Sequence, residues 1–367
     1  MVDPRTKNLA DILVNYSIKV KPGDWVIING SVLALPLVNE VYEQVIKAGG
    51  NPNVLLGDDQ FQETKFLYAK EEQLNWVSPI SRLVNEEADA LIHILAPSNT
   101  RALTGTDPNK QRISSAAHQE ITKIFMERSA AKQVRWVITN YPCPAYAQEA
   151  DMSLRDYADF VYQATFADQE DPVGAWQKVH DEQQRLVDWL AGKKQVTVKG
   201  PNADLSLSIE GRTFINADGE KNMPSGEIFT SPVEDSAQGW IRFTYPAISS
   251  GREVEGIELE FNNGMVVSAR AEKNEDFLLT MLDTDESARY LGEFAIGTNY
   301  GIQKFTKSIL FDEKIGGSIH LAIGFGFIEA GGKNQSAIHW DMICDMRDDS
   351  EIHVDGELFY KNGEFKV

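Results

Sequence analysis

Trp25-Val26-Ile27-Ile28-Asn29 is an apolar run entered from the turn Lys21-Pro22-Gly23-Asp24. A short apolar run bounded by turn residues reads as a buried strand. Before it, Leu9 to Tyr16 carries helical spacing. After it, Leu37 to Ala48 reads as a helix stopped by Gly49-Gly50. Val54-Leu55-Leu56-Gly57-Asp58 is the next strand, and Ala90-Leu91-Ile92-His93-Ile94-Leu95 the third. Helix-like Ile113 to Arg128 leads to a fourth, Arg135-Trp136-Val137-Ile138-Thr139. Strands alternating with helices predict an α/β N-terminal domain, a parallel sheet covered on both faces. No GxGxxG follows the first strand, so nucleotide binding is not supported.

Val173 to Leu190 reads as a long helix ending in Ala191-Gly192-Lys193-Lys194, and there the texture changes. Gln195 to Gly200 and Asp204 to Ile209 are short alternating strands. The remainder stays strand-rich, with turns such as Asn262-Asn263-Gly264, and Glu275 to Leu291 is its one clear helical stretch. A chain of 367 residues is too long for one ordinary core. Two domains are expected: 1–190, α/β, and 191–367, an α+β strand-rich metal-binding domain.

A net charge of −20 argues against nucleic acid or an anionic membrane as partner. Two cysteines, Cys143 and Cys344, make no disulfide framework and suit a reducing compartment. The first ten residues hold no apolar signal region, and no apolar run approaches the length of a membrane span. The expectation is a soluble, cytoplasmic protein.

Five side chains in the last third carry candidate chemistry: Glu227, Glu293, His320, His339 and Asp341. Carboxylates and imidazoles hold zinc, cobalt or manganese. In Ile338-His339-Trp340-Asp341, a strand would point positions 339 and 341 to one face. Five ligands exceed what one catalytic zinc takes from protein and suit two ions a few Å apart. Taken singly, each residue also reads blandly: a solvated Glu in a Gly-rich turn, a hydrogen-bonded core histidine, an exposed strand face.

Asn222-Met223-Pro224-Ser225-Gly226-Glu227-Ile228-Phe229-Thr230 resembles the signature of the thermophilic-type metallo-aminopeptidases, the aminopeptidase T and aminopeptidase S family. Further blocks resemble that family in the same order: Gly292 to Asn299, His320 to Gly324, Gly331 to Asn334 and Ser336 to Asp341. Tyr141 to Ala150 and Met152-Ser153-Leu154 extend the likeness into the first half. The resemblance implies a two-metal exopeptidase that removes N-terminal residues from peptides. It also implies a homodimer in which the α/β domain shapes access to the site. Carried over by position, the metal ligands fall on the same five residues, with Glu227 or Glu293 bridging the ions. The family's tyrosine at the site falls on Phe327, and its tyrosine-proline pair has become Phe327-Ile328. Phenylalanine can neither ligate a metal nor donate to an oxyanion. A silent metal- or peptide-binding relative and an amidase are the alternatives this departure raises.

Overall fold

The computed structural model describes residues 3–249 and 251–367. They form two compact units. One holds the chain up to Trp176 together with Gly219–Pro224; the other holds Gln177–Asp218 and Ser225–Val367.

The first unit is built on a five-stranded, wholly parallel sheet. Its strands are β1 (Trp25–Ser31), β2 (Asn51–Gly57), β3 (Ala90–Leu95) and β4 (Arg135–Asn140), with the short Asn222–Met223 segment beyond β4, in the order β2-β1-β3-β4-(Asn222–Met223). The apolar runs become strands because Val26, Ile28, Leu91, Ile92 and Val137 are all buried. The helix Leu35–Lys47 buries Leu37, Val38, Val41 and Val45, the i, i+1, i+4, i+8 face its sequence sets out. Edge strand β2 departs from the expected cover. Apart from half-buried Pro52 its residues are exposed, because an edge strand has a neighbour on one side alone.

Three helical expectations are refined. Leu9 to Tyr16 lies across an α-helix, Pro4–Asp11, and a wider π-type turn, Ile12–Ser17. Ile113 to Arg128 breaks at His118 into Pro108–Ala117 and Gln119–Ala130. Glu275 to Leu291 stops at Leu282. Beyond it the Asp285 carboxylate accepts hydrogen bonds from the Ser287 and Ala337 amides and the Ser336 hydroxyl, ending the helix in a tethered turn. Leu291 then opens a strand.

The described residues of the second unit form two large antiparallel sheets and a two-stranded ribbon, Ala247–Ser249 with Arg252–Val254. An eight-stranded sheet runs from Met265–Arg270 through Glu258–Asn262, Gln238–Arg242, Ala203–Ser208, Gln195–Gly200, Glu351–Val354 and Glu357–Lys361 to Glu364–Phe365. Asn263 and Gly264 have φ of 49° and 80°, the left-handed pair a tight hairpin needs, so the Asn-Asn-Gly turn is explained. The second sheet holds β5 (Ile215–Ala217), β6 (Glu227–Thr230), β7 (Leu291–Gly297), β8 (Ser318–Gly324) and β9 (His339–Asp345), in the order β9-β8-β7-β6-β5. One core joins them: Val196, Val198, Leu205 and Leu207 from the first sheet meet Phe294, Ile296, Leu321, Ile323, Trp340 and Met342 from the second. Among the described residues no helix is long and apolar enough to cross a membrane. Both cysteines are free and buried.

Candidate metal centre

Alternation along β6 to β9 separates two kinds of residue. Ile228, Phe294, Ile296, Leu321, Ile323, Trp340 and Met342 point into the core. The intervening positions form the other face, and the strand register shows which of them are neighbours. Gly297 pairs with Glu227, Ala295 with His320, Glu293 with Ala322, Ala322 with Asp341, and Gly324 with His339. All five candidate residues therefore share one face of four adjacent strands. Their cross-strand partners include Ala295, Ala322, Gly297 and Gly324, small residues that leave room above the sheet, while Ile343 stands opposite His320 on β9. That face was legible in sequence only for the His339–Asp341 pair.

The cluster is tight. His339 Nε2 lies 3.1 Å from Glu293 Oε2 and 3.4 Å from Asp341 Oδ1. His320 Nε2 lies 3.6 Å from Glu227 Oε2 and 3.9 Å from Glu293 Oε1. Glu227 and Glu293 are each 5% exposed and His320 1%, whereas the His339 side chain is 25% exposed, marking the open side.

Two residues not singled out in the sequence join it. Glu313 and Lys314 follow the short helix Ile309–Asp312. Lys314 is fully buried, 3.7 Å from Glu227 Oε1 and in close contact with Glu313. Their turn is pinned to the segment just after β7: the Asn299 amide donates to the Lys314 carbonyl and the Gly316 amide to the Asn299 carbonyl. Gly297 permits this, since a Cβ there would sit 2.2 Å from the Ile315 oxygen. Gly226, at φ +117° and packed on Asn299, sets Glu227 at the start of β6. The signal for the missed pair was the charged run Asp312-Glu313-Lys314 closed by Gly316-Gly317, seven residues before His320.

Two groups of three have ligand atoms within 4.8 Å of one another: Glu293, His339 and Asp341, and Glu313, His320 and Asp341. Asp341 belongs to both. Glu227 Oε2, Asp341 Oδ1 and His320 Nδ1 are buried without a hydrogen-bond partner, a costly arrangement for a folded protein. Four carboxylates face one lysine, an excess of negative charge that cations offset. The residues thus fit divalent metal. His339 is oriented for it: its Nδ1–H donates to the Phe325 carbonyl at 2.8 Å, leaving Nε2 as the lone-pair nitrogen of the neutral ring.

Without a cation the cluster holds protons instead. Burial pushes Glu227 up to about 8. Burial opposes ionisation of Glu293, but His320 and His339 outweigh it and carry its carboxyl down to about 2. Burial likewise disfavours both imidazolium ions, yet Glu293 and its acidic neighbours lift His320 to about 9, and Asp341 with Glu293 lifts His339 to about 11. Metal binding must displace such protons.

Phe327 lines the open side. Its ring centroid is 5.0 Å from that of His339, edge to face, and 5.1 Å from Phe229. Ile328 beside it is 73% exposed and takes no part.

The thermophilic metalloprotease (M29) family matches residues 2–365. Aminopeptidase 2 of Geobacillus stearothermophilus is 29% identical over 389 aligned residues, covering 95% of this chain and 92% of its own. Aminopeptidase T of Thermus thermophilus is 28% identical, covering 97% and 95%. The solved structure of wild-type AmpT from Thermus thermophilus superposes with a TM-score of 0.86 at 25% identity over 99% of each chain.

Proposed function

This chain belongs to the thermophilic metalloprotease (M29) family, and from that premise we propose that it is a metal-dependent aminopeptidase, a hydrolase releasing N-terminal residues from peptides. The observation that carries the reading is the pair of three-residue groups meeting at Asp341. We propose Glu227, Glu293, His320, His339 and Asp341 as the ligands of two divalent ions, zinc, cobalt or manganese, with Glu313 beside them. Bound there, such ions would supply a carbonyl-polarising Lewis acid, a water acidified toward neutral pH and a binding point for a free α-amino group.

The chain's own residues do the rest. The Phe325 carbonyl fixes the His339 tautomer and aims Nε2 at Glu293 and Asp341. Glu227 or Glu293 would be the carboxylate shared between the ions, and Asp341, a member of both groups, would help hold them. Lys314 offsets part of the charge of Glu227 and Glu313. The fully apolar Phe327 ring shields one side of His339 from water and offers no hydroxyl to a developing oxyanion. Residues 191–367 are proposed as the catalytic domain, and the working form as a cytoplasmic homodimer.

The test is a pair of peptides identical but for N-terminal acetylation, offered to metal-loaded protein. Cleavage of the free peptide one residue at a time, with none of the acetylated one, is expected. Equal turnover of the two would replace this reading with an endopeptidase or an amidase.

A further inference from the structure

In the first unit the chain leaves β1 to one side to make β2, then returns past β1 to make β3. The direction of winding reverses between β1 and β3. In open parallel sheets, ligands bind outside the carboxyl ends of the strands at such a reversal. A cleft of about 310 Å³ lies there, lined by the carboxyl ends of β1, β2 and β3. Its lining residues all fall between Asn29 and Leu95, and none is Asp, Glu, Lys or Arg.

The cleft's chemistry is specific. Asn29 and His93 are direct neighbours in the parallel register, with Leu55 next in the same row. Asn29 Nδ2 lies 3.4 Å from His93 Nδ1, and an amide NH₂ can only donate. His93 Nδ1 is therefore the acceptor, and Nε2 carries the hydrogen. Burial also pushes the His93 pKa down, favouring the neutral ring. Among the described residues, neither the Asn29 side-chain oxygen nor His93 Nε2 makes a hydrogen bond. The cleft so offers one acceptor and one donor side by side, with Leu55 and Leu95 on the same face. An amide group presents the complementary pair, an N–H and a C=O. A charged ligand would find no counter-ion and lose its hydration.

We propose that this cleft is a second binding site, for a small uncharged aliphatic amide. It is separate from the metal cluster and needs no metal.

N-acetyl-leucinamide is the probe, since it is uncharged and has no free α-amino group. It is titrated into the full-length protein carrying ¹³C-labelled histidine rings, with and without a chelator. A saturable shift of the His93 resonance is expected, with His320 and His339 unmoved and the chelator without effect. Asn29→Ala should weaken binding about fivefold, the loss of one neutral hydrogen bond. Leu55→Lys, at a position 37% exposed and so tolerant of change, should weaken it by setting a charge beside Asn29. N-acetyl-leucine, the carboxylate, should bind more weakly than the amide. Absence of a saturable His93 shift, movement of the metal-cluster histidines instead, loss on chelation, or equal binding of the carboxylate each overturns the proposal.

Discussion

The main-chain carbonyl of Phe325 accepts a 2.8 Å hydrogen bond from Nδ1 of His339, so the backbone just beyond β8 sets which nitrogen of a β9 residue faces the carboxylates. His339 is thus already oriented before any ion arrives, and a metal has only to displace its Nε2 proton.

His339→Ala should therefore cost metal directly. Elemental analysis after dialysis is expected to show at least one ion fewer per chain, with hydrolysis lost. His353→Ala is the matched control, because His353 pairs with Glu351 on the eight-stranded sheet, away from the cluster. Full metal content in His339→Ala would remove it from the ligand set.

Ala322 sits in register between Glu293 and Asp341 and is fully buried. Ala322→Val adds two methyl groups where the face is kept low. Metal affinity should fall by more than tenfold, while overpacking costs the fold about 1–3 kcal/mol. Titration calorimetry against zinc, beside a denaturant melt of the metal-free form, separates the two effects. Unchanged affinity would show that the small residues of this face do not make the space.

Phe327 stands against His339 with no oxygen to offer. If a hydroxyl here assists the transition state, Phe327→Tyr should raise kcat by about 10²-fold with little change in KM. Steady-state kinetics at saturating metal give the answer. An equal or lower kcat at equal metal content would mean the site has adapted to phenylalanine.

Asp312 is buried, and burial pushes its carboxyl up to about 7, although the Thr306 amide and hydroxyl both donate to it. An unfolded aspartate titrates near ~3.9. The folded chain therefore holds this proton more tightly, and its stabilising contribution is complete below that value. It is lost as pH rises through the window up to about 7. Asp312→Asn keeps an acceptor oxygen and cannot ionise. Its stability relative to the wild type, from urea melts across that window, should climb with pH. Parallel curves would contradict the assignment.

The parallel strands were legible because apolar runs between turn residues have few other uses. β3 falls on the expected Ala90–Leu95, and β4 is longer by one residue. The ligand face was legible only where period two acts within one strand, at His339 and Asp341. Glu227, Glu293 and His320 lie on three other strands, and nothing local aligns them; the family blocks did. Glu313 and Lys314 were silent because a turn packed on Asn299, not a strand period, brings them in. Leu291 was assigned to a helix because apolar spacing continues past Leu282, whereas the tethering of Asp285 to Ser336 and Ala337 is a long-range event.

Every residue of β7 and β8 is buried, and one face of each belongs to the main core. Freeing Glu293 or His320 thus requires parting the strands that hold the second unit together. Their amides should be among the last to exchange with solvent, and fraying of termini or loops leaves the cluster intact. Ion escape through local opening is shut off, so inactivation by heat or denaturant will coincide with cooperative collapse of this unit instead of preceding it.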